Sequence, residues 1–505
     1  IRIMRKLTSL LVFAIIGGFV LFSSCNDDDD SPAADRPTVS APSNNIVVLA
    51  GEDTEVTFGV QIPGGFKSSA VTAVGGTAVV TTDLTTGATS GNVVVTFTAG
   101  NSAGAATVTL TVTDNLNLTD DAFAPITVQE EETEVRITEN IEEDATWTAD
   151  KTWILGGRIT VLDGVTLTIE PGTVIKGEAG AAQNATALLV ARGGMLMAEG
   201  TAEAPIIFTS IADEITPEDV AAGNFESPNL DPDVNGLWGG VIILGKARIS
   251  ATNDVGDDVI EQQIEGIPTS DPNGLYGGTD DADNSGVISY ISIRHGGTNI
   301  GSGNEINGLT LGGVGSGTSI SNVEIVANQD DGIEWFGGTV SIEGALVWNC
   351  GDDAIDTDQA WAGSVSNFLV VNPGDRAFEL DGPEGSLTTD NHQIHNGTVY
   401  MGGGVELIDL DDNTDVDIYD VYFYGMEDGQ VVSGYAGFEA AGVGSATSFE
   451  VTLYAGGTVA DVFVDMPAQN IAEVAENANT VGPATSTGFE WTWASQSGAL
   501  SGIGL

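Results

Sequence analysis

Acidic side chains recur near the middle of this 505-residue chain at spacings that could bind a metal ion or support acid–base catalysis. The stretch GDDAIDTD (351–358) carries Asp352, Asp353, Asp356 and Asp358. Two carboxyl groups separated by about 5–9.5 Å can cleave a glycosidic bond, and Ca²⁺ prefers oxygen ligands such as carboxylates. A solvated acidic surface gives the same pattern. The stretch alone therefore leaves catalysis, metal binding and simple surface charge open.

The acidic stretch belongs to a repeat. VEIVANQDDGIEWF (323–336), ALVWNCGDDAIDTD (345–358) and FLVVNPGDRAFELD (368–381) resemble one another, with starts 22 and 23 residues apart. Ionised carboxylates stacked on neighbouring strands at ~4.8 Å repel one another unless a cation, a proton or salt intervenes. The alignment gives four columns: Asp330, Asp352 and Asp375; Asp331, Asp353 and Arg376; Glu334, Asp356, Glu379 and, less regularly, Glu406; and Asp358 and Asp381.

The elements that must position these columns are short β-strands. A period near 22 with two or three strands per repeat, and with Gly and Asn turns, predicts a right-handed parallel β-helix. Alternation along each strand directs Ile333, Ile355 and Phe378 inward as one stack, so their acidic neighbours face outward. Two polar insertions, 211–236 and 251–285, are predicted to be loops over one face.

The predicted site residues follow from these columns. A Ca²⁺-binding role is predicted for two groups of side chains, because carboxylates packed this densely favour a divalent cation. One group is DDADNSG (280–286), whose acids lie two residues apart as in the first half of a Ca²⁺ loop. The candidates for Ca²⁺ are Asp281, Asp283, Ser285, Asp331, Glu334, Asp353, Asp356 and Glu379. The candidates for catalysis are Asp352, Asp353, Asp356 and Arg376, and those for stacking on a sugar are Trp335 and Trp361.

The charge balance limits the possible partners. The chain has 14 Lys and Arg against 73 Asp and Glu, a formal net charge of −59. Nucleic acid is excluded as a partner, because binding a phosphate backbone requires a basic patch. With three His and two Cys, the chain also lacks the residues of an ordinary zinc site or a disulfide framework.

The first residues predict export. Arg2, Arg5 and Lys6 precede an apolar run that ends at Leu21, which is typical of a secretory signal. Cys25 directly after this run resembles a bacterial lipobox, and the following NDDDD resembles the acidic export tag of surface lipoproteins of Bacteroidetes. The resemblance implies that Cys25 is lipidated and anchors an exported protein to the outer membrane, exposed on the cell surface.

The composition changes along the chain and predicts six segments. Short alternating runs at about ten-residue spacing indicate an Ig-like β-sandwich before the β-helix. The predicted segments are a signal peptide (1–24), the lipidated Cys with an acidic tether (25–36), the Ig-like β-sandwich (37–128), an acidic linker (129–144), the β-helix (145–445) and a C-terminal cap (446–505).

Several segments of the β-helix region resemble a family of right-handed β-helix surface lipoproteins of Bacteroidetes, with a distantly pectin-lyase-like fold. They include GRITVLDGVTLTIEPGTVIKG, LWGGVIILGKA and CGDDAID. The resemblance implies fold and location but no reaction. We therefore expect an all-β surface protein that binds polysaccharide or matrix without catalysis, stabilised by Ca²⁺. A polysaccharide lyase or glycoside hydrolase acting on the acidic face, and a purely structural surface-layer component, are the alternatives.

Overall fold

The computed structural model describes residues 35–181, 184–299 and 306–505, so Cys25 and the predicted signal peptide lie outside the described residues. The chain divides into two compact units between Glu131 and Glu132. Within the described residues, no helix combines the length and the apolar character needed to cross a bilayer.

The N-terminal unit consists of two four-stranded sheets around one core. Alternation in its strands directs Phe58, Val95, Phe97 and Leu110 inward, where they are fully buried. This arrangement fits a β-sandwich, and the finer Ig-like assignment stays a prediction. The first sheet has the order β1 Thr38–Ser40, β3 Asp53–Gln61, β6 Ser90–Ala99, β5 Gly76–Thr82, and the second the order β2 Ile46–Leu49, β8 Thr119–Gln129, β7 Gly104–Asp114, β4 Phe66–Val74.

The second unit is a parallel β-helix, and one of its walls is a nine-stranded sheet, here called sheet A. Each strand supplies about four residues per coil and pairs in parallel with the strand of the next coil. In order, sheet A contains β12 Arg158–Val161, β15 Ala187–Val190, β18 Val241–Leu244, β24 Leu309–Gly312, β26 Ile333–Phe336, β28 Ile355–Asp358, β30 Arg376–Leu380, β32 Glu406–Leu410 and β34 Val432–Ser433.

The remaining walls belong to a fifteen-stranded sheet, here called sheet B. Its long parallel ladders are consistent with a right-handed β-helix. Sheet B contains β9 Glu134–Ile137, β10 Ala145–Trp147, β11 Thr152–Leu155, β13 Thr166–Ile169, β14 Val174–Gly177, β16 Met195–Glu199, β17 Ile206–Ser210, β23 Gly286–Arg294, β25 Ser319–Val326, β27 Ile342–Trp348, β29 Ser364–Val371, β31 His392–Tyr400, β33 Val416–Tyr424, β35 Ser445–Val451 and β36 Ile471–Glu473.

Each long strand of sheet B bends once, and the bends form what we call the corner column. The residue at each bend has a positive φ, a left-handed conformation that Gly, Asn and Asp tolerate best. Register places these residues opposite one another on successive coils. The corner column is Tyr290, Asn322, Gly344, Asn367, Asn396, Asp420 and Ser448.

The predicted inner stack is confirmed. Ile333 pairs with Ile355 and Ile355 with Phe378, and all three side chains are fully buried. Phe378 also meets Phe368 of sheet B edge-to-face at 5.6 Å. Truncating such a buried Phe to Ala costs about 3–5 kcal/mol. The repeat in the sequence therefore corresponds to coils that stack directly.

The structure corrects the predicted boundaries. Part of the segment expected to be a linker, residues 129–144, is a strand of the β-helix, because β9 pairs in parallel with β11. Part of the expected cap, residues 446–505, continues sheet B through β35 and β36. The helices are α1 Pro217–Ala221, α2 Tyr435–Ala441, α3 Val459–Val462, α4 Trp493–Gln496 and α5 Ala499–Gly502, with 3-10 turns at Pro272–Gly274 and Ala468–Asn470.

The last residues do not extend the coils but fold back along sheet B. We call residues 489–505 the clasp. Its side chains Phe489, Trp493 and Leu500 are buried against outward-facing apolar residues of sheet B. The clasp therefore covers a side of the β-helix rather than its end alone.

The two insertions cover different faces, not the same one. The 211–236 insertion, which contains α1, packs on Val174 and Ile207 of sheet B. The 251–285 insertion packs on Ile242 and Leu244 of sheet A. Its short strands are β19 Ala251–Thr252, β20 Asp258–Val259, β21 Gln262–Gln263 and β22 Leu275–Tyr276.

Candidate functional site

The outer face of sheet A carries an acidic column in the predicted register. Glu334 pairs with Asp356, and Asp356 pairs with Glu379. The next coil contributes Asp409 at this position, while Glu406 lies opposite Arg376. The column predicted from the repeats is thus confirmed for three residues, and its fourth member is Asp409 instead of Glu406.

A second column runs along the turns that precede these strands. The carbonyl groups of Asp331 and Asp353 accept the amide N–H groups of Gly308 and Gly332 of the preceding coils. The amide of Asp353 in turn donates to Oδ1 of Asp331 at 2.9 Å. Carboxylates from two columns therefore face one another across adjacent coils.

Three of these side chains form a closed group, here called the acidic trio: Asp331, Glu334 and Asp356. Each offers a carboxylate oxygen within 4.8 Å of the others. Their exposed fractions are 8%, 6% and 9%. No Lys, Arg or His of the described residues forms an ion pair with any of them. The group therefore combines three buried acids without a protein cation.

Burial dominates the electrostatics of the acidic trio. It raises the pKa of Asp331, Glu334 and Asp356 well above the ordinary values, and repulsion from neighbouring carboxylates raises the pKa of each further. For Asp331 the repelling neighbours include Asp330 and Asp353, and for Glu334 and Asp356 they include Asp331. Glu334 and Asp356 also hydrogen-bond each other. Without a cation, these raised pKa values favour the protonated form of the carboxyl groups. A divalent cation would replace those protons.

Asn307 completes the group from the neighbouring coil. It is 1% exposed, and its Nδ2 donates to Oε2 of Glu334. Its Oδ1 is buried and has no hydrogen-bond partner within the described part of the chain. Rotating this amide would turn an oxygen toward the carboxylates, and amide oxygens are ordinary Ca²⁺ ligands. The acidic trio and Asn307 thus fit the ligand chemistry of Ca²⁺.

The 251–285 insertion accounts for the burial. Tyr276 is buried, and its hydroxyl donates to Gln359 at 3.0 Å directly after β28. The centroid of its ring lies 6.0 Å from that of Phe336. Phe336 follows Glu334 by two residues on β26, so both side chains are on the outer face of sheet A. Apolar side chains of the insertion thereby exclude water beside the acidic trio.

Arg376 forms ion pairs with acids on its own coil and on the two adjacent coils. Its Nη1 lies 3.1 Å from both Asp353 and Glu379, and its Nε lies 3.8 Å from Glu406 and 3.6 Å from Asp409. Burial opposes its charge, but the surrounding carboxylates outweigh burial and raise the pKa of Arg376. Burial and the contact with Glu379 raise the pKa of Asp353 to about 8, despite the nearby guanidinium.

Beyond Arg376 the acidic face is more open. Burial, and then repulsion from Asp381 and Glu384, raises the pKa of Asp358 to about 7. Burial, and then Asp411 and Glu379, raises the pKa of Asp381 to about 6. These carboxyl groups lie beside half-buried or exposed acids, so a ligand could reach this part of the face.

The four catalytic candidates do not form an open pair of acids. Asp353 and Asp356 are buried, and Arg376 holds Asp353 through both its backbone amide and its guanidinium. Asp352 is exposed. Two groupings of metal-ligand size contain Asp352, one with Asp330 and Asp331 and the other with Asp353 and Asp375. The geometry thus fits structural or cation-binding roles better than acid–base catalysis.

The prediction that Trp335 and Trp361 stack on a sugar is wrong. Both are inside the β-helix, with exposed fractions of 0% and 1%. Their rings stack on each other at 4.6 Å, and the Trp361 indole donates to the Val340 carbonyl. Neither ring is accessible to a ligand.

The predicted Ca²⁺ loop at Asp281, Asp283 and Ser285 is also not assembled. Asp281 pairs with the guanidinium of Arg248, and Asp283 accepts the amide of Lys246 at 3.1 Å. Within the described ranges, the groups of acids close enough to share a metal do not include this segment. Of the other predicted ligands, Asp353 and Glu379 bind Arg376, which leaves the acidic trio as the candidate site.

Sequence reasoning missed Asn307 and Asp409. Asn307 is the first residue of the segment NGLTLGG, which has the same form as DGIEWFGG beginning at Asp331. Leu309 pairs with Ile333, so Asn307 occupies the repeat position of Asp331 one coil earlier. Adding this coil to the repeat alignment would have found it.

A comparison with protein-family models identifies the family of this chain. No curated protein matches the sequence. A similar solved structure is the family 28 exopolygalacturonase of Yersinia enterocolitica, with 9% identity over 89% of this chain and 88% of that chain. Its TM-score is 0.15, which is too low to support an inference about this chain. The model of the pectate-lyase-like beta helix domain matches residues 139–223 and 226–496, which is more than half of the chain. The chain therefore belongs to the pectate-lyase-like β-helix domain family.

Proposed function

We propose that this protein is a non-enzymatic binding module whose acidic face is stabilised by Ca²⁺ and binds polysaccharide. The observation that carries the proposal is the acidic trio of Asp331, Glu334 and Asp356, buried beside the unpartnered amide oxygen of Asn307. When bound, Ca²⁺ would offset the mutual repulsion of these carboxylates, and carboxylates and amide oxygens suit its preference for oxygen ligands.

The class of polysaccharide follows from the charge of the open part of the face. Glu379, Glu406 and Asp409 are half-buried around a single Arg376. This surface attracts cations, and a cation bound there keeps coordination positions for ligand oxygens. A polysaccharide that contains uronate groups supplies such oxygens. We therefore propose a uronate-containing polysaccharide that binds through bridging Ca²⁺.

The calcium part is tested by melting the purified protein after chelation and after adding Ca²⁺. Because a ligand at 100 times its Kd stabilises by about 2.7 kcal/mol, we expect Tm to rise by about 4 °C. Glu334→Gln should abolish most of this rise. Glu343→Gln serves as the control, since Glu343 is exposed on sheet B. An unchanged Tm in wild type would reject the calcium site.

The polysaccharide part is tested by affinity electrophoresis through gels that contain polygalacturonate. Retardation is expected with Ca²⁺ and should disappear with chelator. A protein whose Tm responds to Ca²⁺ but whose mobility does not change would keep the cation site and reject the polysaccharide.

For location, we propose that the protein is exported and anchored to the outer membrane by a lipid on Cys25, with the β-helix exposed at the cell surface. The signal-like run that ends before Cys25 supports this proposal. Metabolic labelling with an alkynyl fatty acid should modify wild type but not Cys25→Ser. Cys350→Ser is the matched control, because Cys350 is buried in the β-helix. Labelling that persists in Cys25→Ser would reject the anchor.

Hydrolysis or elimination on a polysaccharide is the second candidate. It is favoured by Asp353, whose pKa is raised to about 8, since a carboxyl group that keeps its proton near neutral pH can act as a general acid. Incubation with polygalacturonate should then release reducing ends or unsaturated products, and Asp353→Asn should remove them. A blank assay for both kinds of product would reject this candidate.

A further inference from the structure

A cavity lies on sheet B, away from the acidic face of sheet A. Its volume is about 500 Å³, within the range of about 300–1,000 Å³ that is typical of small-molecule sites. Its walls come from four separated parts of the chain: Glu203 after β16, Phe225 in the 211–236 insertion, Tyr290 at the corner of β23, and Glu490 and Trp491 in the clasp. The fold-back of the clasp therefore creates this cavity.

Tyr290 is unusual at its position. It belongs to the corner column, where six other coils carry Asn, Gly, Asp or Ser at a positive φ. Tyr290 adopts φ +49°, a left-handed conformation that a bulky aromatic residue adopts at an energetic cost. Strain of this kind is concentrated at binding and catalytic sites. The ring is partly exposed and meets Trp491 at 5.5 Å and 72°.

The wall contributed by the clasp has an unpaired donor. Trp491 is 4% exposed, and its indole Nε1 is buried without an acceptor among the described residues. Beside it, Gln496 accepts the amide of Phe225 at 2.8 Å and donates to the carbonyl of Gly223 at 3.0 Å. These bonds fix the insertion against the clasp, so the cavity is preformed.

The lining defines the ligand. Glu203 and Glu490 are exposed at the rim, and no Lys or Arg lines the cavity, so an anionic ligand is disfavoured. Trp491 and Phe225 are too buried to offer open ring faces, which a cage for an organic cation needs. One accessible ring, two acceptors and an apolar floor instead suit a ring with an apolar face and hydroxyl donors.

We propose that this cavity binds a neutral saccharide unit, with Tyr290 against the sugar ring and Glu203 and Glu490 accepting its hydroxyl groups. The site is separate from the acidic trio and does not depend on Ca²⁺ or on the function proposed above. It would give the protein two carbohydrate-binding surfaces of opposite preference, one for uronates through a cation and one for uncharged sugars.

The test uses the full chain and ligand-observed NMR with cellotriose, xylotriose, mannotriose, trigalacturonate and choline, first in the presence of chelator and then with added Ca²⁺. We expect at least one neutral trisaccharide to bind. Tyr290→Asn should weaken that binding at least tenfold while Tm stays equal or rises, because Asn fits the corner better. Glu203→Gln should also weaken binding. Tyr419→Asn is the control, since Tyr419 stacks on His395 elsewhere on sheet B.

Several results would overturn the proposal. They are the absence of binding for all three neutral trisaccharides, binding of choline or trigalacturonate that Tyr290→Asn abolishes, and unchanged affinity in Tyr290→Asn. Binding that appears with Ca²⁺ and vanishes with chelator would assign the sugar to the acidic face and likewise reject this cavity. Loss of the Ca²⁺ response in Tm would leave the result for the cavity unaffected.

Discussion

Two clusters of buried charged side chains lie on different sheets of the β-helix. One, on sheet B, pairs a cation with an anion, whereas the other, on sheet A, contains carboxyl groups without a cation among the described residues. Under the clasp, Arg294 and Glu324 are both fully buried and lie 3.6 Å apart. Ser292 links them, since it donates to Glu324 at 2.5 Å and accepts from Arg294 at 2.7 Å. The guanidinium also lies 4.9 Å from the ring of Trp493. This cluster contains its own counter-charge.

The acidic trio on sheet A has no such partner among the described residues. Arg376, on the coil after Asp356, binds Asp353 and Glu379 instead. Both clusters are covered by a segment from outside the coils, the clasp in one case and the 251–285 insertion in the other. The comparison teaches that cover alone does not decide the function of a buried charge. A cluster that lacks its counter-ion must take protons or a cation from solution.

The largest effect is expected from removing the counter-charge of the balanced cluster. Arg294→Met leaves Glu324 buried and unpaired, which should cost about 3–5 kcal/mol. The loss should be the same with Ca²⁺ and with chelator. Urea denaturation measures it, and Arg248→Met is the control, because the exposed pair of Arg248 with Asp281 should contribute about 0–1 kcal/mol. A loss below 1 kcal/mol for Arg294→Met would remove the contrast between the clusters.

The next effect tests the unbalanced cluster. Asp356→Asn removes one of three repelling acids, so we expect it to stabilise the chelated protein. In saturating Ca²⁺ the same variant should lose about 2–3 kcal/mol relative to wild type, because a ligand is gone. Urea denaturation in the two buffers measures both signs. Equal changes in the two buffers would contradict a cation role.

A smaller effect is expected from Arg376, which is partly exposed. Arg376→Met should destabilise by about 1–2 kcal/mol at pH 8, because Asp353 and Glu379 lose their shared partner. The loss should shrink toward pH 5 as Asp353, whose pKa is raised to about 8, takes up its proton. A destabilisation that does not change with pH would indicate lost packing instead of lost charge.

The smallest effect concerns the open end of the acidic face. The pKa of Asp381 is raised to about 6 in the folded state, so its contribution is fully present below the unfolded pKa near 4 and is lost as pH rises through 6. Asp381→Asn should therefore raise Tm at pH 8 by about 1–2 °C and leave it unchanged at pH 4. Thermal melts in chelator check this. A lower Tm at pH 8 would mean that Asp381 makes a favourable contact when ionised.

Much of the fold followed from the repeat. The spacing of 22 and 23 residues places Ile333, Ile355 and Phe378 in one stack, because coils of equal length repeat their side-chain positions. The same alternation places Trp335 inside with Ile333, so the burial of Trp335 was available from the sequence. The acidic composition of 129–144 predicts a linker and gives no sign of the short strand at 134–137, because only four of its residues pair with the β-helix.

The repeats predicted where the candidate site lies but not that its carboxyl groups are buried. The repeats located Asp331, Glu334 and Asp356, yet their burial depends on the 251–285 insertion, whose packing on sheet A has no local signature. The cavity beside Tyr290 was beyond reach for the same reason. It needs residues 203, 225 and 491, which only the path of the chain brings together.

The clasp also bears on how the protein unfolds. In a solenoid each coil contacts only its neighbours, so coils can fray from an end one at a time. Here Gln496 bonds to the 223–225 loop across more than 270 residues, and the amide of Ala494 donates to Glu324. The clasp therefore connects the coils between these points, so they cannot separate one at a time while it stays bound. Amide hydrogens of sheet B from β17 to β29 should therefore exchange together, at a single rate set by release of the clasp.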